Sequence, residues 1–245
     1  MTKADLSIIL PAYMEAVRIQ RTLQDLAAFL RTRDYGQVEV IVVTAESQDQ
    51  TLELARAQAG LFSNFSVIDA GAKQGKGRDV RLGILAATGR YRVFMDADLA
   101  TPLHHLDTVW ELANQGVKVG IGVRRLRSIH SEPIRRFVST VGNVLAQIVL
   151  LPGLTDTQCG FKFFEAAAAE AIFSRMTILG WGFDLEILTI ARKLGYGIEA
   201  IPVPDWHDPK ASDEGFVGDS AAGAALKVFK DLFTIRYNIT LGRYK

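Results

Sequence analysis

Short apolar runs alternate with helix-spaced ones through the first half of the chain. Leu6-Ser7-Ile8-Ile9-Leu10 stops at Pro11, and Val38 to Val43 forms the next run. Phe65 to Ile68, Tyr91 to Met95 and Val117 to Ile121 follow, each rich in β-branched or aromatic residues, and each predicts a strand. Between the first two, Ile19, Leu23, Leu26, Ala27 and Leu30 recur at helical spacing, and Gln50–Ala59 and Asp79–Ala87 read the same way. Strands that are apolar almost throughout, alternating with helices, predict an α/β fold. Its sheet is mostly parallel and covered by helices on both faces.

The second half is less regular. Phe137 to Thr155 runs 19 residues without a charge, but Ser139, Thr140, Gly142, Asn143, Gln147 and Pro152 interrupt it. It predicts a buried or membrane-surface helix rather than a span. From Ala221 to Tyr244, apolar Ala225, Val228, Phe229, Leu232, Phe233, Ile235 and Ile239 interleave with Lys227, Lys230, Arg236 and Arg243. That is a basic amphipathic C-terminal helix, able either to lie on anionic lipid or to pack on its own core. With no repeat and no Gly/Ser linker, residues 1–245 read as one domain. Within it, 1–122, 123–218 and the amphipathic tail (219–245) read as successive parts.

Composition narrows the class. An apolar fraction of 49% over 245 residues excludes intrinsic disorder. The balance of 28 basic and 27 acidic groups gives no general attraction to nucleic acid. Charge is nevertheless segregated: residues 101–150 carry 6 basic against 3 acidic groups, 151–225 carry 5 against 11, and 226–245 carry 5 against 1. Two basic segments thus flank an acidic one, as on a surface that meets anions in defined places. Cys159, the only cysteine, excludes an internal disulfide and a Cys-based zinc site. Asp5 stands where a signal peptide would be apolar, so the expectation is a cytoplasmic protein.

The strongest chemical signal is Asp96-Ala97-Asp98, directly after an apolar strand. Ligands of open parallel sheets bind outside the carboxyl ends of the strands, and two acids one residue apart repel unless a cation or donors neutralise them. A divalent metal bridging phosphate oxygens answers both conditions, whereas an N-cap role explains only one acid. Tyr13 and Glu15 follow another strand end. Gly75-Lys76-Gly77-Arg78 opens a helix and suits an anion, but it lacks the glycine spacing and the Ser/Thr of a P-loop. His104 and His105 read as surface histidines.

In this order the motifs resemble family 2 glycosyltransferases of the GT-A fold, most closely the branch that loads a sugar onto a polyprenyl or dolichyl phosphate. The likeness rests on Gly75-Lys76-Gly77 with Val80-Arg81-Leu82-Gly83, on Asp96 to Thr101, and on Asp156-Thr157-Gln158-Cys159-Gly160-Phe161-Lys162-Phe163-Phe164. It continues through Trp181-Gly182-Phe183-Asp184-Leu185-Glu186 and Ile201 to His207. Within that branch it is more similar to the β-glucosyl than to the mannosyl enzymes.

The resemblance implies inverting transfer of a hexose from a nucleotide-diphosphate sugar, UDP-glucose before GDP-mannose, with Mg²⁺ or Mn²⁺ on the diphosphate. Asp98 would be the principal metal ligand, with Asp96 near the metal or ribose. Pro11, Tyr13, Glu15, Val43, Thr44, Glu46 and Ala97 would frame the nucleoside. Lys76, Arg124, Arg135 and Arg136 would gather phosphates, and Gln158, Lys162, Trp181 and His207 would line the substrate site. A phosphate acceptor needs little base help; a hydroxyl acceptor would need a carboxylate, for which Asp156, Asp184 and Glu186 are the candidates. Two departures stand out. The family's Asp-Asp-Gly-Ser-x-Asp-x-Thr run reads Thr44-Ala45-Glu46-Ser47-Gln48-Asp49-Gln50-Thr51 here, which predicts weaker discrimination between bases. C-terminal transmembrane helices found in several relatives are absent, so membrane contact, expected on the cytoplasmic face, would rest on amphipathic surfaces. Transfer to a soluble or glycan hydroxyl, and a degenerate nucleotide-sugar binder without catalysis, are the competing readings.

Overall fold

The computed structural model describes residues 4–124, 150–207 and 221–245, with side chains from 230 onward in the last stretch. Arg135, Arg136 and most of the uncharged run from Phe137 lie outside the described residues. Seven strands, β1 (Leu6–Ala12), β2 (Val38–Thr44), β3 (Phe65–Asp69), β4 (Tyr91–Met95), β5 (Val119–Arg124), β6 (Phe161–Glu165) and β7 (Glu199–Val203), form one sheet in the order β3-β2-β1-β4-β6-β5-β7. The β1–β2, β2–β3, β1–β4 and β5–β7 pairs are parallel, while β6 runs antiparallel between β4 and β5. The α-helices are α1 (Ile19–Leu30), α2 (Thr51–Arg56), α3 (Lys76–Ala86), α4 (His105–Asn114), α5 (Ala166–Arg175), α6 (Phe183–Lys193) and α7 (Ala221–Thr240).

Period-two alternation sends the two faces of each strand into separate cores. Ile9, Ile41, Val43, Phe94 and Phe164 pack with Val80 and Ile84 of α3, Phe173 of α5 and Ile187 of α6. Leu10, Val40, Val42, Val93 and Phe163 pack with Leu23 and Leu26 of α1 and Leu106 and Val109 of α4. This two-sided burial is why β1 carries no exposed residue. Gly83 lets α3 approach the sheet closely, since a Cβ there would run into Ile9 and Val43.

Several details differ from the sequence pattern. The helix expected over 50–59 breaks after Arg56 into a 3-10 turn at Ala59–Leu61, and α3 starts at Lys76 rather than Asp79. Strand β6 carries a lysine in mid-strand and shows no alternation that would announce it. The tail splits its apolar residues: Leu232 and Ile235 are buried against the core, whereas Phe233 is 75% exposed. Of the two alternatives open for this helix, Leu232 and Ile235 take the core packing.

Candidate active site

The carboxyl ends of β1, β2 and β4, the loop entering β6 and the segments after β5 and β7 meet along one edge of the sheet. Asp96 and Asp98 leave β4 there, and Leu99 takes a left-handed φ of 53° to turn the loop. The Asp96 amide donates to the Gly160 carbonyl at 3.1 Å, and its carboxylate receives the Lys76 ammonium from the start of α3. A Cβ at Gly160 would run into the Asp96 carboxylate, so glycine there leaves the carboxylate its place. Asp98 accepts from the Ala100 amide at 3.0 Å. Burial, and then the Asp96 charge, push its carboxyl above the usual carboxylate range. Burial works against the Lys76 charge, but Asp96, Asp184 and Asp98 outweigh it and hold its pKa above the ordinary lysine value. Two oxygen-bearing acids at a strand end, with Asp98 short of positive charge, suit an oxygen-loving divalent cation.

Around this centre the sequence candidates fall into three groups. Tyr13 and Glu15 stand at the rim, with the Lys73 ammonium 3.3 Å from the Tyr13 ring centroid and Glu15 paired to Arg18 at 2.9 Å. Glu46, Gln158, Trp181 and His207 are exposed along the same edge. Lys76 lies 5.3 Å from the Trp181 ring centroid, and the His207 amide donates to the Ala100 carbonyl at 3.1 Å.

A second group is buried at the edge. Pro11 and Val43 are buried partners inside the sheet, and the rim begins one or two residues later. Ala97 is buried, with its carbonyl accepting from Thr22 at 2.6 Å. The Thr44 hydroxyl is buried and has no partner among the described residues.

The third group is committed to structure. Lys162 is fully buried, donating to the Cys159 carbonyl at 2.6 Å and paired with Asp184. Burial pushes the Asp184 carboxyl up, opposed by Lys162 and Lys76. Asp156 holds the Arg124 guanidinium at 2.6 and 2.9 Å and accepts the amides of Arg124 and Gln158. Burial opposes its charge, but Arg124 outweighs that and lowers its pKa, the reverse of what a general base needs. Glu186 is fully buried, receiving the Thr177 and Ile178 amides and the Thr177 and Tyr244 hydroxyls. Asp156 and Glu186 are thus held in hydrogen bonds, and Lys162 in a buried ion pair. Arg124 keeps one face against Trp206, 5.0 Å from the ring centroid.

The retained Ser47, Asp49 and Thr51 tie two rim loops together. The Ser47 and Thr51 hydroxyls donate to Asp49 at 2.6 Å, and the Ala16 amide donates to it at 3.1 Å. Sequence reasoning missed Lys73, a loop lysine with no local signal. It also missed Asp79, a buried acid in the first turn of α3 whose Oδ1 has no partner among the described residues; burial lifts its pKa to about 6.

The family model for glycosyl transferase family 2 matches residues 7–173, more than half of the chain. The chain is a family 2 glycosyltransferase. This glycosyltransferase is 32% identical to the dolichyl-phosphate beta-glucosyltransferase of Saccharomyces cerevisiae, over 98% of this chain and 76% of that protein. It is 29% identical to the Dictyostelium discoideum enzyme of the same name, with the same coverage. Among solved structures it resembles glucosyl-3-phosphoglycerate synthase from Mycobacterium tuberculosis in complex with Mn²⁺, UDP-glucose and phosphoglyceric acid. The TM-score is 0.69 at 20% identity, over 95% of this chain and 79% of that one, a likeness of fold.

Proposed function

We propose that this glycosyltransferase moves glucose from UDP-glucose to a polyprenyl phosphate. The observation that carries the reading is the state of the acids around Asp98. Asp156 and Glu186 are locked in hydrogen bonds and Asp184 is paired with Lys162, so none of the three is free to deprotonate a hydroxyl. A lipid phosphate is already ionised near neutral pH and needs no such base. Relatives that share nearly the whole chain are named for that acceptor. Asp98 and Asp96 would hold Mg²⁺ or Mn²⁺, which supplies Lewis-acid stabilisation of the charge on the departing diphosphate. Lys76 neutralises Asp96, Tyr13 and Lys73 offer a stacking surface and a cation to the nucleotide, and Trp181 offers an open aromatic face to the sugar or acceptor.

The protein would meet its lipid as a peripheral protein on the cytoplasmic leaflet. Phe233, Tyr237 and Leu241 are exposed at four-residue spacing near the end of α7, beside exposed Lys230, Arg236 and Arg243. Among the described residues no helix is long and apolar enough to cross a membrane. A panel of nucleotide sugars, screened by thermal shift with and without Mn²⁺, tests the donor. UDP-glucose with metal should raise the melting temperature most, since a ligand at a hundredfold its Kd adds about 2.7 kcal/mol. Equal stabilisation by GDP-mannose, or none by either, contradicts the donor assignment.

A further inference from the structure

Behind the Asp98 loop, three side chains that the transfer reaction does not use converge on one point. The two oxygens of Asp205, which follows β7, meet two imidazoles: Oδ1 lies 2.7 Å from His105 Nε2, and Oδ2 lies 3.2 Å from His104 Nε2. The rings face each other with centroids 4.4 Å apart and 36° between their planes. Consecutive residues inside a helix point about 100° apart and do not share a target. Here His104 is the N-cap residue and His105 the first residue of α4, and both rings turn toward Asp205. All three ligand atoms lie within 4.8 Å of one another. Around a tetrahedral zinc, with bonds of about 2.0–2.1 Å, ligand atoms stand about 3.3 Å apart. Small side-chain rotations therefore bring this trio onto one cation. His105 is buried and fixes the site, while His104 and Asp205 are 56% and 43% exposed along their side chains and leave room for water as a fourth ligand.

The geometry points to a second metal site, formed by His104, His105 and Asp205, that takes Zn²⁺ or a similar first-row transition ion. Its two nitrogens and one oxygen distinguish it from the oxygen-only Asp96–Asp98 pair, which suits Mg²⁺ or Mn²⁺. The hydrogen bond with His105 leads the interactions that hold the Asp205 carboxyl below its ordinary range, and keeps it an anionic ligand. A cation here would staple the start of α4 to the segment after β7. That segment already reaches the Asp98 loop through the bond from the His207 amide to the Ala100 carbonyl. The site would thus brace the loop that carries Asp98 without touching substrate.

Removing the other centre first separates the two. The full chain carrying Asp98→Ala, titrated with Zn²⁺ against a chromophoric chelator, should bind one equivalent at micromolar affinity or tighter. Co²⁺ in its place should give the visible absorption of a low-coordinate imidazole site. Adding His104→Ala, an exposed position, should weaken binding by about a hundredfold or more, since even residues that only support a ligand account for 10–100-fold. The Zn²⁺-induced rise in melting temperature should disappear with it. No equivalent of that affinity in the Asp98→Ala chain overturns the proposal, as does one that survives both His104→Ala and Asp205→Asn. Either result leaves the glycosyl-transfer reading where it stands, since that rests on Asp156, Asp184 and Glu186 and not on this trio.

Discussion

Replacing Lys162 with methionine separates a structural role from a substrate contact. The side chain has no exposed surface, its ammonium lies 5.3 Å from the Phe94 ring centroid, and its partners are the Asp184 carboxylate and the Cys159 carbonyl. Lys162→Met leaves Asp184 buried with one cation fewer. Removing one partner of a buried pair costs about 3–5 kcal/mol, out of the 5–15 kcal/mol that typically holds a domain together. Lys76 also acts on Asp184, which places the expectation at the lower end, about 3 kcal/mol. For a chain of this size that lowers the Tm by roughly 6–12 °C. The double variant Lys162→Met/Asp184→Leu removes both charges and should recover most of the loss. Urea denaturation of parent, single and double variants gives the three stabilities, and calorimetry with UDP-glucose gives donor affinity. A single variant that loses donor affinity at unchanged stability would show that Lys162 touches substrate. A double variant as unstable as the single one would refute the charge argument.

Asp98→Ala should abolish Mn²⁺-dependent binding of UDP-glucose in calorimetry while leaving the melting curve in place; equal metal-dependent affinity refutes its role as ligand. Asp79 is buried, and its folded pKa of about 6 lies above the ordinary 3.8, so the folded state binds the extra proton between these values. Stability is therefore lost as pH rises from about 4 through 6, by an amount on the order of 3 kcal/mol. Asp79→Asn should melt higher than the parent at pH 7.5 and equally at pH 4; a constant difference across that range refutes the cause. Sedimentation with anionic liposomes should fall as salt is raised and should weaken on Phe233→Ser with Tyr237→Ser. Indifference to liposomes at low salt removes the membrane assignment.

The parallel half of the sheet is readable because β1 to β4 are short apolar runs that end at Ala12, Thr44, Asp69 and Met95, each followed by helical spacing. The antiparallel β6 is not. Its pairing with β4 and β5 is a long-range choice that Phe161-Lys162-Phe163-Phe164 does not encode locally. The same gap applies to the motif acids. A motif announces that Asp156, Asp184 and Glu186 matter, but not whether their oxygens face the cleft or the Arg124 guanidinium, the Lys162 ammonium and the Thr177 amide. His105 looked like a surface residue because its partner Asp205 lies 100 residues away. Asp96 and Asp98 were legible because a strand end fixes where they point.

The most direct test of lipid-phosphate glucosylation uses radiolabelled UDP-glucose, a short polyprenyl phosphate in detergent and Mn²⁺, with butanol extraction of the product. An acid-labile glucolipid should form with the parent chain, be absent with Asp98→Ala, and be lost when metal is chelated. Label that stays in UDP-glucose, or that leaves it only for a water-soluble acceptor, contradicts lipid-phosphate glucosylation.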